Sequence, residues 1–246
     1  MTGQRVGVVG DGRLATAVEA AGGEPIRGPS PDRIGEPTGF GSVRFVAAAG
    51  EDAIVDLARS APEVPVLAVG SDPSLRAVPF DRLDPAIERI LGGDPPTVRH
   101  PVVEAAGSVE PVRAVFDVAL AAAEPARISE FAVHSGGDRV ARFRADGVAA
   151  STPAGSAGYN RSAGGPVVAS GTGVASVVPI APFATSIDHW VLPLASVRLS
   201  VERDETPVEL LVDGRRETTV DAGGPVTLSR VGALETYHLP ESSGPF

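Results

Sequence analysis

Short apolar runs alternate with helically spaced apolar residues over the first 95 residues of the chain. Arg5–Val9, Val43–Ala48 and Val64–Val69 predict strands. Leu14–Ala21, Ala53–Ser60 and Asp84–Leu91 predict helices; in the second, Ile54, Leu57 and Ala58 fall on one face. The Pro- and Gly-rich stretch Gly28–Gly41 reads as a loop. Strands and helices in alternation predict a parallel sheet with covering helices, a Rossmann-like α/β domain over residues 1–95.

The period changes after Gly92-Gly93-Asp94-Pro95-Pro96. Short β-type runs follow at Val112–Val118, Ile128–His134, Val140–Arg144, Ser176–Ile180, Val197–Val201, Val208–Val212 and Val226–Leu228. Turn residues separate them, among them Gly136-Gly137-Asp138, Asp213-Gly214 and Gly223-Gly224-Pro225. This pattern predicts an antiparallel, β-sandwich-like domain over 96–230, with 231–246 as a C-terminal tail.

Composition narrows the chemistry. The 21 basic residues are all arginine, and the net charge is −10. Without lysine there is no P-loop lysine and no Schiff base. An acidic surface argues against nucleic acid and membranes as partners, because phosphate backbones attract cations. It fits adaptation to high salt, where screening makes dense negative charge tolerable, or else a GC-rich genome; we favour the halophilic reading. Cysteine is absent, which excludes disulfides and thiolate metal sites. His100, His134, His189 and His238 show no metal-ligand spacing, and no G-x-S-x-G elbow occurs. No apolar run reaches the roughly 18 residues of a membrane span. Met1–Gly12 lacks the basic start and apolar stretch of a signal peptide, so a cytoplasmic location is expected. Gly10-Asp11-Gly12-Arg13-Leu14-Ala15 fits G-x-G-x-x-A, but no ribose-binding acid stands at the right distance. A tight strand-to-helix turn is therefore preferred over an oxidoreductase fingerprint.

The densest chemical signal is Asp146–Pro166, DGVAASTPAGSAGYNRSAGGP. Val148–Ala150 is a small apolar strand running into Ser151, Thr152, Pro153, Ala154, Gly155 and Ser156. Small hydroxyl residues beside glycine let a ligand approach the backbone and meet side-chain donors. Asn160–Ala163 could begin a helix, and Gly164-Gly165-Pro166 would stop it. From the residues alone, a ligand-binding turn and a plain polar β-to-helix turn stand about equal.

This segment resembles the NAD kinase signature DG-x-x-x-STPTGSTAYS-x-SAGGP, with Asp146, Gly147, Ser151, Thr152, Pro153, Gly155, Ser156, Tyr159, Ser162, Ala163, Gly164, Gly165 and Pro166 in place. Arg144-Ala145-Asp146-Gly147 resembles the family's Arg-x-Asp-Gly. Pro125-Ala126-Arg127 with Glu130-Phe131, Pro179-Ile180-Ala181-Pro182 and Val212-Asp213-Gly214 resemble neighbouring family elements. The resemblance covers most of 45–230. It implies transfer of a phosphoryl group from ATP, or polyphosphate in some members, to the 2′-hydroxyl of the adenosine ribose of NAD, normally with Mg²⁺. It places Asp117, Arg127, Arg144, Asp146, Ser151, Thr152, Gly155, Ser156, Tyr159, Asn160 and Ser162 about the dinucleotide, and it implies a homodimer or homotetramer.

The resemblance breaks at the catalytic loop. The family's Gly-Gly-Asp-Gly-Thr corresponds to Ala49-Gly50-Glu51-Asp52-Ala53. Glu51 replaces the catalytic Asp and moves the carboxylate by about 1.5 Å; a misplacement near 1 Å can cost roughly 100-fold in rate. Asp52 puts a Cβ where a glycine-rich loop can require φ > 0, and a negative charge beside the phosphates. Alternatively, Glu51 and Asp52 simply favour the first turn of the next helix. The Asn-Glu pair becomes Phe116-Asp117, in which Phe116 could stack but not hydrogen bond. The later His becomes Phe183, and the Gln after the late Asp-Gly becomes Arg215. The loop Gly70–Leu75 has no family counterpart. Two readings follow: an NAD kinase with Glu51 as base, or a catalytically impaired paralogue that binds a nucleotide and regulates or partners another protein.

Overall fold

A computed structural model describes residues 3–28, 42–70, 75–124, 127–184 and 187–242. The chain divides into two compact units. One holds the chain up to His100 together with the stretch from Ala233; the other is Pro101–Gly232. Most of the predicted Gly28–Gly41 loop and most of Gly70–Leu75 lie outside the described residues, as do Pro125 and Ala126.

In the first unit, β1 (Arg5–Val9), β2 (Glu24–Arg27), β3 (Phe45–Ala49) and β4 (Val66–Val69) form a parallel sheet in the order β2-β1-β3-β4. Helices α1 (Arg13–Ala20), α2 (Glu51–Ser60) and α3 (Leu83–Gly92) accompany them. β3 and β4 are apolar along their length because both faces are covered, as parallel strands require. The core joins Val6, Leu14, Val18, Phe45, Leu67, Ile87 and Ile90. This is the α/β architecture expected. The sequence reading missed β2, a short edge strand with only two half-buried residues.

Gly10 ends β1 at φ 98°, and a Cβ there would stand 2.3 Å from the Ala49 carbonyl oxygen. The first glycine of the G-x-G-x-x-A pattern is thus demanded by two strand ends packing together. Asp11 then pairs with Arg13 at 2.8 Å, and the Arg13 guanidinium lies 3.6 Å from the centroid of the Phe80 ring.

The last strand, β16 (Pro225–Tyr237), replaces much of the expected tail. Its end pairs in parallel with β4, Thr236 opposite Val66, and Tyr237 meets Phe45 edge-on at 5.7 Å. Burial of Thr236, Tyr237 and Leu239 explains why this stretch is ordered as strand and core.

The second unit is an antiparallel sandwich, as predicted. One sheet holds β5 (Thr97–Gly107), β6 (Val112–Ala114), β8 (Ser129–Ser135), β9 (Asp138–Ala145), β13 (Val197–Arg203) and the beginning of β16. The other has the order β12-β11-β10-β7-β14-β15, from Trp190–Pro193, Val174–Ile180, Gly147–Ser151, Asp117–Ala122, Val208–Val212 and Arg215–Val220. Their inner faces share one core, in which Phe143 stacks on Trp190 with centroids 5.6 Å apart. In β10, Val148 and Ala150 face this core, whereas Ala149 joins Ala119 and Val178 on the opposite face. That second face is covered by the segment after β10, so β10 is buried throughout. No helix among the described residues is long and apolar enough to cross a membrane.

His100 lies buried in the first unit, its Nε2 2.9 Å from Thr236 Oγ1. The Thr236 hydroxyl donates to the Leu75 carbonyl, so the imidazole donates through Nε2, and Nδ1 meets no protein partner. Burial, with the nearby charge of Arg76, lowers the His100 pKa from the ordinary 6.5 to about 4. Between these values the unfolded chain takes up a proton that the native state refuses. Stability is therefore fully present above pH 6.5 and falls by about 3 kcal/mol as pH drops toward 4. Urea unfolding across this range should show the loss, and His100→Gln should flatten it.

Candidate functional site

The site is built around a corner in the second unit. The sequence reads Val112–Val118 as one strand, but the strand breaks: β6 stops at Ala114, and β7 starts at Asp117 after a turn through Val115 and Phe116. The break is caused by Asp213, at the turn between β14 and β15. Its carboxylate accepts three successive backbone N–H bonds, from Val115 (3.0 Å), Phe116 (2.7 Å) and Asp117 (3.0 Å). The Asp213 N–H in turn donates to the Asp117 carbonyl at 2.9 Å.

Thr152 closes the other side. Its hydroxyl donates to the Val115 carbonyl at 2.6 Å, and its N–H donates to the Phe116 carbonyl at 2.8 Å. Gly155 then packs against the same peptide; a Cβ there would stand 2.1 Å from the Phe116 carbonyl oxygen. The signature's serines and asparagine knit the following loop. Ser156 Oγ donates to the Pro153 carbonyl (2.7 Å) and accepts the Val168 N–H (2.8 Å). Asn160 Nδ2 donates to the Ser156 and Pro166 carbonyls at 3.0 and 2.9 Å. The expected helix is the single turn α4 (Tyr159–Ser162), stopped by Gly164 at φ 87°.

Burial sorts the residues that the sequence assigned to the dinucleotide. Ser151, Thr152, Gly155, Ser156 and Asn160 are buried. Ser151 sits between Asp117 and Ser176 in register, and the Ser151 and Ser176 hydroxyls meet no protein partner. Tyr159 and Ser162 are exposed, while Asp117 and Asp146 are half-buried. Asp146 is fixed by its neighbours: its N–H donates to the Ile180 carbonyl (3.0 Å), and its carbonyl accepts from Ala122 (2.7 Å). Partial burial and the adjacent charges of Asp117 and Asp146 raise the Tyr159 pKa, so its hydroxyl stays a donor. Asp117 and Asp146 stand at opposite ends of the β7–β10 pair, Asp117 opposite Ser151 and Asp146 beside Ala122, and the charges of both act on the Tyr159 phenol.

Arg144 and Arg127 are exposed. Arg144 pairs with Glu205 at 3.6 Å and Arg127 with Glu124 at 3.4 Å. Such exposed pairs contribute about 0–1 kcal/mol, so either arginine can exchange its partner for a phosphate at little cost. Phe116 is buried and offers no stacking face, whereas Phe183 is 70% exposed beside Arg144, whose carbonyl accepts its N–H at 2.9 Å.

In the first unit, Gly50 caps α2 with φ 91°, while Glu51 and Asp52 occupy its first turn, exposed. Asp52 does not have positive φ, so the strain expected from a Cβ there does not arise. The left-handed turn falls on Gly50, the one glycine retained. Among the described residues, no group of three or more His, Cys, Asp or Glu could hold a metal by itself.

The chain is thus a two-unit protein, one unit α/β and the other an antiparallel β sandwich. The family model for the ATP-NAD kinase C-terminal domain matches residues 117–235. The NAD kinase of Nitratidesulfovibrio vulgaris (strain Miyazaki F) is 37% identical over 177 residues, 68% of this chain and 62% of that protein. That of Methanosarcina barkeri is 36% identical over 120 residues, 48% and 43% of the two chains. The match spans less than half the length of the first curated relatives. By fold, an Archaeoglobus fulgidus NAD kinase in complex with ATP superposes with TM-score 0.75 at 23% identity, covering 97% of this chain and 95% of its own. Yeast NADH kinase complexed with NADH gives 0.78 at 17% identity, covering 98% and 85%. The chain belongs to the NAD kinase family.

Thr152 tests whether the corner is a unit. Thr152→Val removes the bond to the buried Val115 carbonyl and should lower unfolding free energy by about 1–3 kcal/mol in urea titrations.

Proposed function

We propose that this chain transfers the γ-phosphate of ATP to the 2′-hydroxyl of the adenosine ribose of NAD, giving NADP. The observation that carries this reading is that Asp117, Asp146 and Tyr159 all lie within the segment that matches the family model, with Tyr159 exposed and both carboxylates half-buried. The carboxylates accept from ribose hydroxyls or the adenine amine, and the phenol donates. Arg127, Arg144 and Ser162 complete the contacts, with the arginines taking the pyrophosphate. Ser151, Thr152, Gly155, Ser156 and Asn160 act as scaffold.

Glu51 is the base. It takes the proton of the 2′-hydroxyl as the oxygen attacks the γ-phosphorus and the bond to ADP breaks. The N-terminus of α2, the positive end of the helix dipole, favours phosphate there. Asp52 opposes it, an effect that Mg²⁺ or molar salt offsets. Mg²⁺ held by the nucleotide's phosphates would neutralise their charge, and Asp52 would offer it an oxygen donor while Glu51 takes the proton. In this reading the protein works in a salt-rich cytoplasm as a homodimer or homotetramer.

The substitutions at Glu51, Asp52 and Ala53 favour a second reading, an impaired paralogue that binds a nucleotide and acts through a partner. NADP formation with ATP and Mg²⁺ in molar KCl separates the two. Wild-type protein should form NADP, and Glu51→Ala should lower the rate at least 100-fold with NAD affinity retained in calorimetry. Unchanged turnover in Glu51→Ala would remove Glu51 from the chemistry. NAD binding without any product from wild-type protein would establish the second reading.

A further inference from the structure

We infer that Asp213 is a positioning residue for the dinucleotide site, fixing the Val115–Asp117 corner and with it the direction of the Asp117 carboxylate; this rests on the function proposed above. The case is a complete account of the corner's backbone. Val115 and Phe116 lie between strands and have no ladder partners of their own. Yet every polar backbone group from Val115 to Asp117 is matched. The three N–H groups go to the Asp213 carboxylate, the first two carbonyls to Thr152, and the Asp117 carbonyl to the Asp213 N–H.

The demand on the side chain is for acceptors alone. A carboxylate accepts through two oxygens and donates nothing, so it can face three N–H groups at once. Asp213 also holds φ 50°, a left-handed conformation that Asp tolerates better than most residues, and it is only 5% exposed. The register explains its place: β14 pairs Leu211 with Ala119 and Val212 with Val118, which brings residue 213 opposite Asp117. Asp117 is the first residue of β7, so the corner's tilt sets its side chain. Its neighbour Val118 faces the sandwich core and Ala119 the covered outer face, which fixes the strand's rotation beyond it. On the other side of Asp117 its backbone is held by the corner, and Asp213 fixes that corner.

Amide hydrogen exchange by NMR on the full chain tests the pinning without any ligand. Asp213→Asn turns a donor toward N–H groups and should speed exchange at Val115, Phe116 and Asp117 at least 100-fold, leaving Val118–Leu120 unchanged. Asp213→Glu, which keeps the charge but changes its reach, should lie between. Unchanged exchange at the corner in both variants would overturn the pinning. Calorimetry with NAD then tests the role. Asp117→Ala and Asp213→Asn should each weaken binding about 10-fold, and the double variant no more than about 2-fold beyond Asp117→Ala, since both act through one contact. Multiplying effects near 100-fold would make Asp213 merely structural and overturn the proposal. Wild-type protein that takes up no NAD would instead overturn the function reading, and the positioning role with it, while the exchange result stood by itself.

Discussion

A carboxylate facing three backbone N–H groups organises the β unit of this protein. A polypeptide that leaves one strand and enters another within two residues strands its amides, and buried amides without partners cost about 1–3 kcal/mol each. Asp213 takes all three from one side, and Thr152 takes the carbonyls from the other. The corner therefore exists because residues about 40 and 100 positions away in sequence, the signature turn and the late Asp-Gly turn, arrive at it together.

Seen from this corner, the signature segment is first a folding unit. Thr152, Ser156 and Asn160 bond its own backbone, and Gly155 is there because the Phe116 peptide lies where a side chain would be. The polar side chains that the segment exposes are those of Tyr159, Arg161 and Ser162, with Asp146 half-buried. The same division holds in the α/β unit. Gly50 carries the left-handed turn, while Glu51 and Asp52 sit in ordinary helical backbone with their carboxylates exposed. The altered residues thus change the loop's charge and reach, which bears on chemistry more than on folding.

Much was legible in the sequence where local pattern and burial agree. The strands β1, β3 and β4, helices α1–α3 and most of the sandwich follow from periodicity, because each has its apolar residues at the spacing its own geometry requires. The failures have physical causes. β2 is too short and too half-buried to show a period. Val112–Val118 looks like one strand because every other residue is apolar, and nothing local announces that Asp213 will bend it. Residues 231–237 look like a tail because the burial of Thr236 and Tyr237 is provided by β4 and Phe45, far away in the chain.

The sequence by itself determined the family and the class of elements, since both depend on which residue types stand at which spacing. Burial was decided only by the tertiary structure: Ser151, Thr152, Ser156 and Asn160 are buried, while Tyr159 is exposed and Asp117 and Asp146 are half-buried. A hydroxyl or carboxylate is equally able to bind a ligand or a peptide group. Which of the two it meets is fixed by the non-local packing that removes it from water, and no spacing along the chain encodes that.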